Sequence, residues 1–262
     1  MQSIVERAGG RAWDELRKIE VVPDFIGTAA GSCYIQCGRT RIICTATIDD
    51  KTPSFLENTG MGWLSAEYSM LPASTSVRIS RERAMGSGRS QEIQRLIGRS
   101  LRMCLDRKVL GPRTITIDCD VIEADGGTRT AAINGGYIAM CLAINKLRLD
   151  NRIEENPVIR SVAAVSLGIV HGRELLDLDF VEDSSADIDA NLVASPGNGI
   201  VEWQCTAERA PLPQAQIATL VELGMKGINL ALRLVWAMDR RRTRHERDQR
   251  YFATTSYDFT RE

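Results

Sequence analysis

The 262-residue chain contains only two histidines, His171 and His245, and this scarcity narrows the chemistry it can perform. His171 precedes a glycine in a predicted turn, and His245 lies in a run of charged residues. A Ser-His-Asp or Cys-His catalytic set needs a histidine base beside its nucleophile, and the commonest zinc sites need several imidazole or thiolate ligands. The composition therefore argues against a histidine-dependent hydrolase and against a histidine-rich zinc site.

The seven cysteines include no Cys-x-x-Cys pair, and most of them lie in apolar, periodic stretches. This pattern favours reduced thiols in the core over disulfides or metal ligands. No run approaches the ~18 consecutive apolar residues that span a bilayer. Residues 1–17 are polar and lack the apolar segment of a secretory signal. The sequence thus predicts a cytoplasmic protein with no membrane partner.

Lysine is also scarce, because only five of the 33 basic residues are lysines. Arginine presents a planar fork of donors that suits phosphate and carboxylate groups. The formal net charge of −1 conceals two blocks: residues 78–113 hold ten basic and three acidic residues, whereas residues 174–189 hold seven acidic and no basic ones. Two solvated surfaces would explain these blocks, and so would a site that holds phosphates and a hard cation together.

Periodicity and turn residues predict an α+β chain with two similar halves. The first half is predicted to contain, in order, a hairpin over 30–48, a strand within 61–71, a helix over 90–106 with Ser90 as its N-cap, a strand over 114–121 and a helix over about 129–148. The second is predicted to contain a hairpin over 162–180 about the turn 171–173, a hairpin over 188–206 and a helix over about 214–238. The polar segment before Pro157 marks the boundary, which predicts domains at 1–150 and 151–239 and a charged tail at 240–262.

One candidate site is the segment Asp125–Arg129, which follows a predicted strand and opens a helix. Gly126 and Gly127 allow a tight turn with exposed backbone N–H groups, and the Thr128 hydroxyl and the positive helix end also favour an anion. Arg129 could grip a phosphate through two parallel hydrogen bonds. An ordinary helix-entry turn would explain the same residues.

The basic block offers further anion-binding candidates. Arg89 lies at the start of the helix 90–106, where the same reasoning applies, and Arg95 and Arg99 lie further along that helix. The loop before it carries Arg78, Arg81 and Arg83, which suit an RNA backbone or simply a solvated surface.

The acidic block contains the third candidate. Asp187 and Asp189 alternate as in a strand, and Asp183 is expected in a preceding loop that could fold back beside Asp189. Convergent carboxylates can hold Mg²⁺ or Mn²⁺, and mutual repulsion could raise the pKa of one of them enough to make it a general acid. An acidic loop that caps and turns the chain is the alternative.

Several long segments, in this order, together resemble the ribonuclease PH family. They are Gly62–Pro72 (GWLSAEYSMLP), Ser87–Arg102 (SGRSQEIQRLIGRSLR), Thr114–Thr130 (TITIDCDVIEADGGTRT) and Leu176–Asn191 (LDLDFVEDSSADIDAN). Gly10-Arg11 and Leu16-Arg17 also match, so the resemblance covers roughly residues 7–230.

The resemblance implies a duplicated α+β fold with left-handed β-α-β crossovers and a hexameric ring built as a trimer of dimers. It implies a phosphorolytic 3′→5′ exoribonuclease, a tRNA nucleotidyltransferase, that trims tRNA precursors and other RNA 3′ ends with inorganic phosphate as co-substrate and releases nucleoside diphosphates. By similarity, Arg89, Gly127, Thr128 and Arg129 would bind phosphate, and Asp183 and Asp189 would bind Mg²⁺ or Mn²⁺ or act in acid catalysis. Arg78, Arg81, Arg83, Arg95 and Arg99 would contact RNA.

Two other functions remain open at this point. The first is a non-catalytic RNA-binding subunit of a similar ring, and the second is a metal- or nucleotide-binding α+β protein with no role in RNA. The chain also departs from the family in the loop at 73–86, which is about two residues short and begins with Ala73 where arginine is usual. Contacts with tRNA, rather than the chemistry, are where we expect this difference to matter.

Overall fold

Five strands rich in β-branched and apolar residues form the first sheet of the computed structural model, which describes residues 7–81, 87–197, 199–209 and 211–245. The strands are β1 (Ile19–Pro23), β2 (Gly31–Cys37), β3 (Thr40–Asp49), β4 (Trp63–Met70) and β5 (Thr114–Glu123), in the spatial order β1-β2-β3-β5-β4. Only β4 and β5 run parallel; α1 (Gly88–Arg102) and the short α2 (Arg107–Leu110) lie between them in the chain. Single turns of 3-10 helix occur at Ala8–Gly10 and Ser54–Leu56.

The second sheet is antiparallel throughout the residues that the structure describes. It contains β6 (Ala163–Val170), β7 (Arg173–Leu176), β8 (Ile188–Ser195) and β9 (Gly199–Ala207), in the spatial order β7-β6-β8-β9. The six-residue α4 (Phe180–Ser185) connects β7 to β8, and α5 (Gln214–His245) follows the sheet and packs on β6 and β8. Each half thus consists of a sheet followed in the chain by a long helix.

The helix α3 (Thr128–Leu149) connects the two halves and is buried on nearly all sides. It packs against β2 and β3 in the first sheet and against β6 in the second. The approach to β3 is close, because a Cβ atom at Gly135 would lie 2.6 Å from Cys44 Sγ. On the other side, the Asn134 amide donates to the Ala164 carbonyl at 2.9 Å and accepts from the Ala164 N–H at 2.8 Å. The start of α3 is therefore held rigidly between the two sheets.

The predicted hairpins, the single strands at β4 and β5 and the three long helices are confirmed, with shifts at their ends. α1 begins at Gly88, and its N-cap is Ser87, whose hydroxyl accepts from the Ser90 N–H at 3.1 Å. The prediction of Ser90 as the cap is therefore wrong. The prediction of a strand up to Phe180 is wrong as well, because β7 ends at Leu176 and α4 begins at Phe180.

All seven cysteines are free thiols, and five of them are buried, as their apolar surroundings predicted. α5 extends beyond the predicted end at 238, and residues 246–262 of the predicted tail lie outside the described residues. Among the described helices, none combines the length and the apolar character that a membrane span requires.

Candidate active site

The segment Asp125–Arg129 forms the tight turn into α3 that its glycines predicted. Gly126 and Gly127 have φ angles of +76° and +63°, in the left-handed region that glycine adopts without strain. A Cβ atom at Gly126 would lie 2.5 Å from the Leu178 carbonyl oxygen. The turn therefore packs directly against the chain that leads into α4, and this places the acidic segment beside the start of α3.

The Thr128 side chain is buried at the first position of α3, where it forms a hydrogen bond with Tyr68. Tyr68 is not among the site residues that the sequence predicts. The Tyr68 hydroxyl, at the buried side of β4, donates to Thr128 Oγ1 at 2.9 Å. A threonine hydroxyl that accepts this bond keeps its own proton available for another acceptor. Burial raises the pKa of Tyr68, which keeps it a donor, although the hydrogen bond to Thr128 and the charges of Arg89 and Arg129 oppose this rise.

Two arginines face the same region from different helices. Arg129 is largely buried at the start of α3, and among the described residues its guanidinium makes only long contacts: Nη1 lies 3.5 Å from Gln204 Oε1 and 3.9 Å from Glu92 Oε1. Arg89 is the second residue of α1 and is exposed. Backbone N–H groups at the start of a helix attract anions, and arginine adds a charged, forked donor. The arrangement suits a small oxyanion such as phosphate.

Asp183 and Asp189 lie close enough to Arg89 and Arg129 for these positive charges to influence the pKa values of both carboxyl groups. Asp183 is on α4, so the prediction that it lies in a loop is wrong, and Asp189 is the second residue of β8. Burial first, and then the negative charge of Asp183, raises the pKa of Asp189 to about 6, although Arg129 and Arg89 oppose the rise. Burial also raises the pKa of Asp183 against the same two arginines. The structure thus brings together four residues that lie up to 100 positions apart in the chain.

The carboxylate pair is suited to a shared cation more than to a closed metal cage. Within the described ranges, neither side chain accepts a hydrogen bond or lies in an ion pair, and no group of three or more His, Cys, Asp or Glu could hold a metal. Mg²⁺ usually keeps several waters and binds one or two carboxylates together with substrate phosphates. Asp183 and Asp189 therefore fit a magnesium ion that a phosphate group of the substrate helps to bind.

The remaining acidic residues of the block differ in their surroundings, so the block is not a single solvated surface. Asp177, Asp179 and Glu182 are buried and lie beside Arg7, Arg11 and Arg17.

The Arg7 Nε donates to Glu182 Oε1 at 2.7 Å, and the Asp179 and Glu182 side chains form a capping box at the start of α4. Burial tends to raise the pKa of Glu182, but the hydrogen bonds from Arg7 and the Asp179 N–H, together with the charges of Arg7 and Arg11, outweigh it, so that the net pKa is lowered. Asp187 lies 3.8 Å from Arg209. Three of the seven acidic residues of the block, Asp177, Asp179 and Glu182, thus pair with arginines and hold the structure together, whereas Asp183 and Asp189 have no such pairing in the described part of the chain.

The arginines predicted to contact RNA have different surroundings. Arg78, Arg81 and Arg95 are exposed, and Arg83 lies outside the described residues. Arg99 is half exposed, and its Nη2 donates to Glu202 Oε1 on β9 at 2.8 Å, which ties α1 to the second sheet. An RNA contact by Arg99 would compete with this ion pair.

Comparison with known proteins places these features in a family. Residues 15–144 match the family model described as "3' exoribonuclease family, domain 1", and residues 161–227 match "3' exoribonuclease family, domain 2". The chain is 52% identical over 225 residues to the ribonuclease PH of Neisseria gonorrhoeae (strain NCCP11945), covering 85% of this chain and 93% of the relative. It is 49% identical over 224 residues to the ribonuclease PH of Cereibacter sphaeroides (strain KD131), covering 85% and 94%.

Solved structures share the fold at lower identity. An Archaeoglobus fulgidus exosome with RNA bound to the active site aligns with a TM-score of 0.74 at 21% identity, over 89% of this chain and 93% of that chain. An archaeal exosome core aligns with a TM-score of 0.69 at 22% identity, over 87% and 89%. The two family matches, the identity to named relatives and the shared fold lead to one conclusion: this chain belongs to the ribonuclease PH (3′ exoribonuclease) family.

Proposed function

We propose that this protein is a phosphorolytic 3′→5′ exoribonuclease that trims the 3′ ends of tRNA precursors and other RNAs. Inorganic phosphate attacks the last phosphodiester bond of the RNA and a nucleoside diphosphate leaves. The observation that carries the proposal is the convergence of Arg89 and Arg129 with Asp183 and Asp189 at the start of α3. Relatives named ribonuclease PH, about half identical over most of their length, support the same activity.

The chemistry of phosphorolysis explains why this set of residues is sufficient. Two anions, the attacking phosphate and the RNA phosphodiester, must come within bonding distance and repel each other strongly where water is scarce. Little covalent work remains for the protein once both are held and their charge is neutralised. A catalytic histidine is then unnecessary, which agrees with the two histidines of the chain: His171 is exposed in the turn between β6 and β7, and the His245 side chain lies outside the described part.

The turn Asp125–Arg129, which we call the anion-binding turn, would hold the attacking phosphate. Arg129 and Arg89 would grip the phosphate, and the Gly127 backbone and the Thr128 hydroxyl would donate to its oxygens. Because Thr128 Oγ1 accepts from the Tyr68 hydroxyl, its own proton stays available for an oxygen of the phosphate.

The carboxylate pair would act on the RNA side of the reaction. Asp183 and Asp189 would hold Mg²⁺ or Mn²⁺, which supplies electrostatic stabilisation of the scissile phosphate and the leaving oxygen when bound. In the alternative role, with Asp189 free of the metal, its pKa raised to about 6 lets it carry a proton near neutral pH and give it to the leaving 3′-oxygen.

The exposed arginines of the first half would guide RNA to this site. Arg78, Arg81 and Arg95 are exposed, and Arg83, close to Arg81 in the sequence, lies outside the described residues. We further propose a homo-hexamer, a trimer of dimers, in which these arginines line a path for the RNA 3′ end. The resemblance to the ribonuclease PH family implies this assembly, and the chain shares its fold with a chain of an archaeal exosome core.

The test is a phosphate-dependence assay with product identification. A 3′-extended tRNA is incubated with the protein, Mg²⁺ and inorganic phosphate, and the released nucleotides are separated by chromatography. We expect shortening only with phosphate and nucleoside diphosphates as products. Monophosphates, or shortening without phosphate, would indicate hydrolysis, and RNA binding without turnover in any metal or phosphate condition would indicate a non-catalytic ring subunit.

A further inference from the structure

We propose that Arg17 is a positioning residue that fixes the anion-binding turn, Asp125–Arg129, at a set distance from α4, the helix that carries Asp183. This inference rests on the proposed function, because the turn would hold phosphate and Asp183 would act on the RNA. Arg17 precedes the first strand, so it belongs to neither of the elements that it joins.

The contacts of Arg17 reach both sides of the site at once. Its backbone N–H and Nε donate to Asp177 Oδ2 at 2.7 and 3.0 Å, and its Nη2 donates to Asp177 Oδ1 at 2.6 Å. From the same guanidinium, Nη1 donates to the Asp125 carbonyl at 2.5 Å and Nη2 reaches the Gly126 carbonyl at 3.4 Å. One side chain therefore holds two consecutive carbonyls of the turn and a carboxylate just before α4.

The contacts of Arg17 with Asp177 also fix the start of α4, because the Asp177 backbone is held in an unusual conformation. Its φ angle is +55°, in the left-handed region that costs energy for a residue with a Cβ atom. The Asp177 N–H donates to the Ser166 carbonyl at 2.7 Å, and its carbonyl accepts from Arg7 and Arg11. Two residues later Asp179 caps α4, so Asp177 sets where the helix begins.

The two sides also touch directly, which makes their separation sensitive to Arg17. A Cβ atom at Gly126 would lie 2.5 Å from the Leu178 carbonyl oxygen and 2.9 Å from Asp179 Cα, so no side chain separates the turn from the start of α4. The Arg17 side chain is only 6% exposed, and its guanidinium lies where the two segments meet. A lysine there could pair with Asp177, but its single ammonium group could not bind the carboxylate and both carbonyls in a plane.

The experiment compares Arg17→Lys with two other variants of the full-length chain. Arg39→Lys is the matched control, because Arg39 is 77% exposed and pairs with Glu123 on the surface. Thr40→Val loosens the turn from its own side only, since Thr40 Oγ1 donates to the Gly126 carbonyl at 2.6 Å and accepts from the Asp125 N–H at 2.9 Å. The kinetics of RNA shortening are measured against phosphate concentration, together with RNA affinity without phosphate and the melting temperature with and without phosphate.

We expect Arg17→Lys to lower kcat at saturating phosphate on the order of tenfold to a hundredfold, because a displacement of about 1 Å between reacting groups costs this much. Its KM for phosphate should also rise, while its affinity for RNA stays that of the wild type. Thr40→Val should raise the KM for phosphate and keep a nearly unchanged kcat, and Arg39→Lys should match the wild type. This division between kcat and KM is what a merely structural role would not produce.

Wild-type kcat and phosphate KM in folded Arg17→Lys protein would overturn the inference. Should that variant fail to fold, the double variant Arg17→Gln, Asp177→Asn removes both buried charges together, and wild-type kinetics in it would overturn the inference equally. If the wild type has no phosphate-dependent activity, the proposed function fails, and the phosphate-induced rise in melting temperature still tests Arg17, because Arg17→Lys must reduce it. If phosphate does not change the melting temperature of the wild type, both the proposed function and the positioning role of Arg17 are refuted.

Discussion

Asp189 is expected to destabilise the folded protein at neutral pH, so that replacing it should abolish activity and increase stability. The structure raises its pKa from the ordinary 3.8 to about 6, first through burial and then through the charge of Asp183. A carboxyl group whose folded-state pKa is raised binds its proton more tightly when folded than when unfolded. Its unfavourable contribution is therefore absent below about pH 4, grows as the pH rises through the folded-state pKa, and is complete above about pH 7.

The size of the effect follows from the same two values. The rise from 3.8 to about 6 corresponds to at most about 3 kcal/mol of unfolding free energy at pH 8. Asp189→Asn keeps the shape of the side chain and removes the charge, so the variant should gain most of this amount at pH 8 and nothing at pH 4. Such a gain on losing a functional residue is typical of a site in which charge is held for chemistry rather than for stability.

Urea unfolding at pH 8 and pH 4, in metal-free buffer and at one protein concentration, measures the difference. The control is Asp150→Asn, an exposed aspartate that follows α3, which should change the stability by no more than about 0.5 kcal/mol at either pH. Adding Mg²⁺ at pH 8 should then stabilise the wild type more than Asp189→Asn. Destabilisation of the protein by Asp189→Asn at pH 8, or a gain in stability of the same size at both pH values, would contradict this prediction.

Three further outcomes are expected. Arg129→Ala should raise the KM for phosphate by about tenfold to a hundredfold, since a charged hydrogen bond contributes roughly 1.5–3 kcal/mol, and leave RNA binding measured by filter retention nearly unchanged; an equal loss of RNA affinity would contradict its assignment to phosphate. Tyr68→Phe removes only the hydroxyl that donates to Thr128, so phosphate KM should rise several-fold with little change in melting temperature, and a wild-type KM would show that Thr128 needs no such partner. Burial alone would raise the pKa of Asp177, but Arg17 holds it below its ordinary value. This carboxylate therefore stabilises the fold above about pH 4, and its contribution is lost as the pH falls through the lowered pKa. Acid unfolding of Asp177→Asn, monitored by circular dichroism, should lack the loss of stability that protonation of Asp177 causes in the wild type.

The elements that sequence periodicity predicted well are those whose signal is local. The hairpin β2–β3 alternates apolar residues about a Gly38-Arg39 turn, and the turn Gly126-Gly127 has the positive φ angles that two glycines before a helix indicate. The convergence of Arg89, Arg129, Asp183 and Asp189 was predicted from the family resemblance, since no periodicity relates residues so far apart. α4 was missed because its capping box, Asp179 and Glu182, sits in a run of acids that also suits a loop.

The arginine–carboxylate contacts around Asp177 could not be predicted from the chain for a different reason. Arg7, Arg11 and Arg17 occur in a polar segment with no periodic signal, and their partners lie 160 to 175 positions away. The sequence shows seven acidic residues that look alike. In the described structure, Asp177 and Glu182 are buried in ion pairs with arginines, whereas Asp183 and Asp189 lie in no ion pair. The resemblance at Gly10-Arg11 and Leu16-Arg17 was the one signal that could have pointed to them.

These long-range contacts also determine when, during synthesis of the chain, the site can exist. Arg17 leaves the ribosome early, but its partner Asp177 is 160 residues further on, and Glu182 follows Arg7 by 175. Contacts this distant in the chain form late, and the first half of a protein usually folds before the second half has emerged. A growing chain that ends within α3 therefore carries the turn Asp125–Arg129 without the partner that fixes it, and under the proposed function nascent protein stays inactive toward the RNA that surrounds it until β7, α4 and β8 have been made.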